Sequence, residues 1–225
     1  MKKKYSLNKL FNILKIQPKN IKIYYQALTH KTYVNENKHL ESYEKLEFIG
    51  DSILQMYSSL YIYKKFKNEN EGVMSILRAN NVSSNSLAQI IKENKINEFL
   101  ICSNNVDELK NNNKICSDMF ESLLAAIYID LGPKEAEKFL NKFLFKKITQ
   151  TAKNKKNLKD PKTQLQELLQ PIIKKPIQYI CVQKNDLWNC KAVCLNNTYG
   201  VGKGKTKKDA EINASKNALK TFKIK

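Results

Sequence analysis

The stretch EKLEFIGDS, residues 44–52, sets three carboxylates, Glu44, Glu47 and Asp51, at separations of three and four. At helical pitch that spacing stacks them along one face. Leu46, Phe48, Ile49, Ile53 and Leu54 occupy the other positions, so the helix is expected to be mostly buried, with its acids at the edge of a core. A carboxylate placed there must be paired, hydrogen-bonded or bound to a cation.

A second stretch, SDMFESLLAAIYID from Ser117 to Asp130, has the same design. Asp118 and Glu121 stand one helical turn apart on an otherwise almost wholly apolar segment that contains no basic residue. Their counter-charge is therefore expected from outside the chain, and an all-oxygen donor set selects a hard cation such as magnesium. The alternative for any buried acid is a salt bridge to a distant lysine or the capping of a helix start.

Composition points to the partner. The 225 residues carry a net charge of +19, which implies a polyanion or an acidic membrane surface. Residues 151–225 hold 17 lysines against 5 acids, whereas the first 150 hold 23 basic against 16 acidic residues, so the excess is concentrated in the C-terminal third. Arg78 is the sole arginine. No stretch approaches the ~20 apolar residues of a membrane span, and no membrane partner is expected. The five cysteines, at 102, 116, 181, 190 and 194, are odd in number and lack C-x-x-C spacing. Neither a disulfide framework nor a zinc site is expected, and the set suits a reducing, cytoplasmic location.

Along the chain, Leu7, Leu10, Phe11 and Leu14 mark an amphipathic first helix, and Ile21 to Leu28 a second after Pro18. The helix carrying Glu44 runs on to about Phe66, and a further amphipathic helix covers Glu135 to about Ile148. The Asn-rich segment between Ile101 and Lys114 reads as a loop. Neither histidine, His30 or His39, is assigned a catalytic role. Residues 1–150 thus form an all-α domain, and 151–159 a basic linker.

From residue 160 the period changes. Asp160 as N-cap and Pro161 as first helical residue open a helix that Pro171 and Pro176 end. Strands follow at Ile177 to Gln183, Leu187 to Leu195 and Tyr199 to Val201, then a helix capped by Thr206 with an inner stripe of Ala210, Ala214, Ala218 and Phe222. Residues 160–225 therefore read as a small α+β domain of order α-β-β-β-α. Gly200, Gly202 and Gly204 are expected to turn the backbone tightly, bringing Lys205, Thr206, Lys207 and Lys208 to a helix N-terminus that grips phosphate.

EKLEFIGDS resembles the signature of the ribonuclease III family, and ALTHKTY (27–33), EGVMSILRANNV (71–82) and the D-x-x-E with YIDLG of residues 118–132 are similar to that family's other blocks. DPKTQLQE (160–167) and GVGKGKTKKDAE (200–211) resemble a double-stranded-RNA-binding domain. The resemblance implies a homodimer, paired through the Glu44 helix, that hydrolyses double-stranded RNA to 5'-phosphate and 3'-hydroxyl ends during rRNA precursor and mRNA processing. It implies Mg2+, with Mn2+ able to substitute, held by Glu47, Asp118 and Glu121. Asp51 and Glu121 would be catalytic, with Asp51 acting partly through bound water. Glu71 falls at the position of an auxiliary acid, and Glu44 is expected in a dimer or intradomain salt bridge. Gln166, Glu167 and Gln170 would reach ribose hydroxyls in the wide minor groove of A-form RNA. The link Lys184 to Asp186 is shorter than the family's and lacks its Gly-Pro-x-His, which is expected to lower RNA affinity. A duplex-RNA binder without catalysis and a DNA-directed nuclease are the rival readings.

Overall fold

The computed structural model describes residues 7–103, 105–153 and 161–223 and divides the chain into two compact units, residues 1–154 and 155–225. The first unit is helical throughout. Its helices are α1 (Leu7–Leu14), α2 (Ile21–Leu28), α3 (Lys31–Glu36), α4 (Glu44–Lys65), α5 (Glu71–Asn81), α6 (Ser84–Glu93), α7 (Val106–Asn111), α8 (Asn113–Leu131), α9 (Pro133–Leu140) and α10 (Lys146–Lys153).

The helix starts follow local chemistry. The side chains of Asn20, Asn70, Ser83 and Asn112 accept from backbone N–H groups in the first turns of α2, α5, α6 and α8. His30 caps α3, which gives it a structural role. Gly132, at φ 89°, closes α8, and Pro133 opens α9 directly after it. The last helical stretch therefore starts earlier than Glu135 and continues through a π-helical turn at Asn141–Phe145 into α10. Within the Asn-rich segment, expected as a loop, Val106–Asn111 is helical.

Helix α8 is apolar on every side, so it can only be central. Every residue from Ile115 to Ile127 is buried, and α2, α4, α6 and α9 pack around it. A fully buried Phe120 or Leu124 contributes about 1.5–3 kcal/mol each. The buried Asn81 is satisfied by donating to Leu77 O at 2.8 Å and accepting from Thr151 Oγ1 at 3.1 Å.

One expectation is corrected on α4. Leu46, Ile53 and Leu54 are buried, but Phe48 is 77% exposed, and Ile49, Met56, Leu60 and Tyr63 are exposed as well. Glu44 to Lys65 is thus only half sunk into its own unit. The remaining face is a stripe of large apolar side chains left exposed among the described residues.

The second unit holds α11 (Pro161–Ile173), β1 (Gln178–Lys184), β2 (Leu187–Cys194), β3 (Asn197–Gly204) and α12 (Lys207–Lys223). The antiparallel sheet has order β1-β2-β3, and both helices contribute to one core with Leu165, Leu169, Cys190, Ala192, Ala210, Ala214 and Ala218. Asp160 and most of the linker, 154–159, lie outside the described residues.

Three further corrections arise here. Pro171 does not end α11 but sits in its last turn, where the lost N–H costs a single helical bond. The third strand reaches Gly204, so Gly200, Gly202 and Gly204 lie on a strand instead of in a turn. A Cβ on Gly200 or Gly202 would collide with the backbone of α12 at Ala214, so these glycines let helix and sheet approach closely. Finally, Cys181 and Cys190 form a disulfide. They stand opposite one another in the β1-β2 register, with Cα atoms 4.1 Å apart, a pairing that sequence spacing does not reveal.

Candidate active site

The acids converge where α4 crosses α8. Gly50 makes the crossing close, because a Cβ there would collide with the carbonyl of Glu121. Glu47, in the first turn of α4, is thereby brought to Asp118 and Glu121 on α8. One carboxylate oxygen from each of the three lies within 4.8 Å of the others. Asp118 and Glu121 are buried and Glu47 half-buried.

Packing like charges out of water shifts their titration. Burial, with Asp51, Asp118 and Glu47 close by, raises the Glu121 carboxyl to about 8. Burial likewise raises Asp118 to about 6, with Lys114 pulling the other way. Tyr43 is buried beside the cluster, and burial together with the charges of Asp118, Glu47 and Glu44 pushes its hydroxyl up.

Lys114 is the other residue that sequence reasoning missed. Its Nζ donates to Asp118 Oδ1 at 2.6 Å and to Glu47 Oε1 at 2.9 Å. The expectation that the cluster's counter-charge lies wholly outside the chain is corrected: a lysine three residues before the apolar stretch supplies one positive charge. The signal was there, since positions 114 and 118 share a helix face.

Asp51 is exposed and accepts from Gln55 Nε2 at 3.2 Å, outside the group of three, although its charge acts on Glu121. Glu44 is exposed and accepts from Ser42 Oγ at 3.0 Å, with no ion pair among the described residues. Glu71, also exposed, accepts from Ser75 Oγ at 2.7 Å and stands apart from the cluster.

In the second unit, Thr206 Oγ1 accepts from Asp209 N at 3.1 Å and donates to Asp209 Oδ2 at 2.7 Å, holding the start of α12. Lys205, Lys207 and Lys208 are exposed around that start. Glu167 and Gln170 are exposed on α11. Gln166 is half-buried, and its Oε1 accepts from Ile177 N at 2.9 Å, so it ties α11 to the first strand. The β1-β2 link is a two-residue turn, Asn185 and Asp186, both at positive φ.

Residues 20–148, more than half of the chain, match the model of a family described as ribonuclease-III-like. The chain belongs to the ribonuclease III family. Its members are endoribonucleases, and the chain is accordingly an enzyme of that class. Residues 161–221 match the double-stranded RNA binding motif. Similarity to ribonuclease III members spans the whole length. It is 45% identical to Ribonuclease 3 of Mycoplasma mobile over 99% of this chain and 93% of that one, and 34% identical to Ribonuclease 3 of Clostridium tetani over 100% and 98%. The first unit is similar to the solved nuclease domain of ribonuclease III from Campylobacter jejuni (TM-score 0.58, 29% identity, 63% of this chain and 97% of that one), a protein described with a region involved in dimer formation. Among the described residues, no helix is long and apolar enough to cross a membrane.

Proposed function

We propose that this ribonuclease III member cleaves double-stranded RNA with the help of Mg2+, or Mn2+ in its place, leaving 5'-phosphate and 3'-hydroxyl ends. Residues 1–150 would be the nuclease domain, 160–225 the RNA-gripping domain, and 151–159 a basic linker between them. The reading is carried by one observation: three carboxylates from two helices converge within 4.8 Å, with two of them buried.

The residues fit a hard divalent cation. The donor set is all oxygen, and its net charge stays negative after Lys114 is counted. Glu47, Asp118 and Glu121 would hold the ion. When bound, it supplies an activated water and neutralises charge on the leaving oxygen of the phosphodiester. Asp51, on the exposed side of the same helix as Glu47, would orient water at the rim. Gly50 keeps the α4 and α8 acids in register by keeping their backbones close. Glu44 and Glu71 would act at most as auxiliaries from outside the cluster.

Lys205, Lys207 and Lys208 would grip phosphates beside the N-terminus of α12, with Thr206 capping that helix. Glu167, Gln170 and the amide of Gln166 would face ribose hydroxyls. The exposed stripe of α4 supports pairing of two copies, which would give a duplex one acid cluster per strand. By analogy with the family, rRNA precursors and structured mRNAs in the cytoplasm are the natural substrates.

The test is incubation of the purified chain with long duplex RNA in magnesium or in EDTA, with mapping of the product ends. Cleavage that needs the metal and leaves 5'-phosphates is expected. Undiminished cleavage in EDTA would remove the metal from the reading.

A further inference from the structure

The acid cluster contains an ion that the chain carries itself. Lys114 belongs to the first turn of α8, where Asn112 Oδ1 accepts from its backbone N–H at 2.9 Å and fixes the root of the side chain. From there its ammonium spans the gap between helices, reaching Asp118 one turn along and Glu47 on α4 at 2.6 and 2.9 Å. These are two of the three carboxylates that a metal would use. The lysine side chain is nonetheless 66% exposed, while that of Asp118 is 7% exposed. The cation therefore sits on the rim of a buried anionic pocket and has an open path away from it.

We propose that Lys114 is a tethered competitor for the metal: its ammonium takes the place between Glu47 and Asp118, and a divalent ion binds by displacing it. This rests on the reading of Glu47, Asp118 and Glu121 as metal ligands.

Two physical facts set the ammonium against the metal. A magnesium ion lies about 2.1 Å from its carboxylate oxygens, so an ammonium still bonded to the same carboxylates would stand within about 7 Å of it, inside the Debye length and with like charge. The ammonium also takes acceptor sites on both groups, Glu47 Oε1 and Asp118 Oδ1, and leaves fewer for the metal. Conversely, an uncompensated trio of acids is costly to hold together, and Lys114 lowers that cost whenever the metal is away. The same residue would thus steady the apo fold and set how much metal the enzyme needs. Its long flexible stem, 66% exposed, suits a group that must leave and return.

The test compares the full-length chain with Lys114→Met, which keeps the stem and removes the charge, and Lys114→Arg, which keeps the charge. Magnesium binding is read by calorimetry, manganese binding by electron paramagnetic resonance, and thermal melting is followed in EDTA and in magnesium. Lys114→Met is expected to bind metal about threefold to tenfold more tightly, as fits the loss of two partly exposed ion pairs. It should also melt lower than wild type in EDTA and gain more from magnesium. Lys114→Arg should stay close to wild type in all three readouts. Equal or weaker metal binding by Lys114→Met, with wild-type circular dichroism, would overturn the competitor while leaving the metal site standing. If neither wild type nor variant binds either ion, both proposals fall.

Discussion

Glu121 is the residue on which the chemistry concentrates, because it is buried against three other acids and sits where α4 meets α8. Glu121→Gln keeps the shape and removes the charge. It is expected to reduce cleavage by about two or more orders of magnitude, while a gel-shift assay finds duplex binding little changed, since the lysines proposed to grip phosphate lie in the other unit. Equal loss of both would contradict that division. The titration of the cluster gives a second expectation. Asp118 and Glu121 move up from ordinary values of 3.8 and 4.5 to about 6 and about 8, so the folded chain holds protons that the unfolded chain has released. Without a divalent ion, the contribution of these two groups to stability is therefore fully present below about pH 4 and is lost as pH rises through the window up to about 8. A cation needs the ionised carboxylates and gains in the opposite direction. Apparent magnesium affinity should rise from pH 6 to 8 and level off above, with proton release seen by calorimetry in buffers of different ionisation enthalpy. A flat profile would separate these groups from metal binding. The acids themselves were legible in the sequence because helical spacing converts directly into a shared face. Lys114 and Tyr43 were not, because their roles depend on which of many lysines and tyrosines reach across from one element to another.

At the scale of elements, the decisive contact is backbone against backbone. Gly50 lies on the buried side of α4, and any Cβ there would meet the Glu121 carbonyl, which cannot rotate away as a side chain could. Gly50→Ala is expected to push the helices apart, at a cost of about 1–3 kcal/mol in stability. It should also separate Glu47 from Glu121, so thermal melting and metal binding decline together. A variant that melts lower but binds metal normally would show that the crossing tolerates slack. The start of α12 was read in advance, since Thr206 precedes an amphipathic run and caps it by a local rule that Asn70 and Ser83 also follow at α5 and α6. Elements whose form depends on a neighbour were misread. Gly200 and Gly202 look like turn residues in isolation, and only the alanine stripe of α12 lying on them explains why a strand should be so poor in side chains. Pro171 looks like a stop signal, yet it falls in the last turn, where the penalty is small. The cross-strand pair Cys181 and Cys190 depends on the β1-β2 register, fixed by a two-residue turn at Asn185 and Asp186.

At the scale of the whole molecule, two surfaces await partners, one charged and one apolar. The net charge of +19 already declared the first in the sequence. The second came only from the family resemblance, because hydrophobic periodicity reports that a helix face is apolar without telling whether its own chain or another copy covers it. Phe48 and Tyr63, 77% and 69% exposed, lie on the same stripe of α4 as Met56 and Leu60, at 48% and 47%. So much exposed apolar surface on one helix is more than a solitary domain ordinarily leaves in water. A second copy of α4, apolar along the same stripe, would be a self-complementary cover for the proposed two-fold pair. Phe48→Glu in each copy would set buried, unpaired carboxylates against that interface. The variant is expected to sediment as a monomer at micromolar concentration, where wild type sediments as a dimer, with the helical content of the chain unchanged. Because one copy carries a single acid cluster among its described residues, the monomer should nick one strand of a duplex far more readily than it cuts both, a difference seen by comparing native with denaturing gels. A wild-type chain that sediments as a monomer at that concentration would leave the stripe to some other partner and sink the two-fold arrangement.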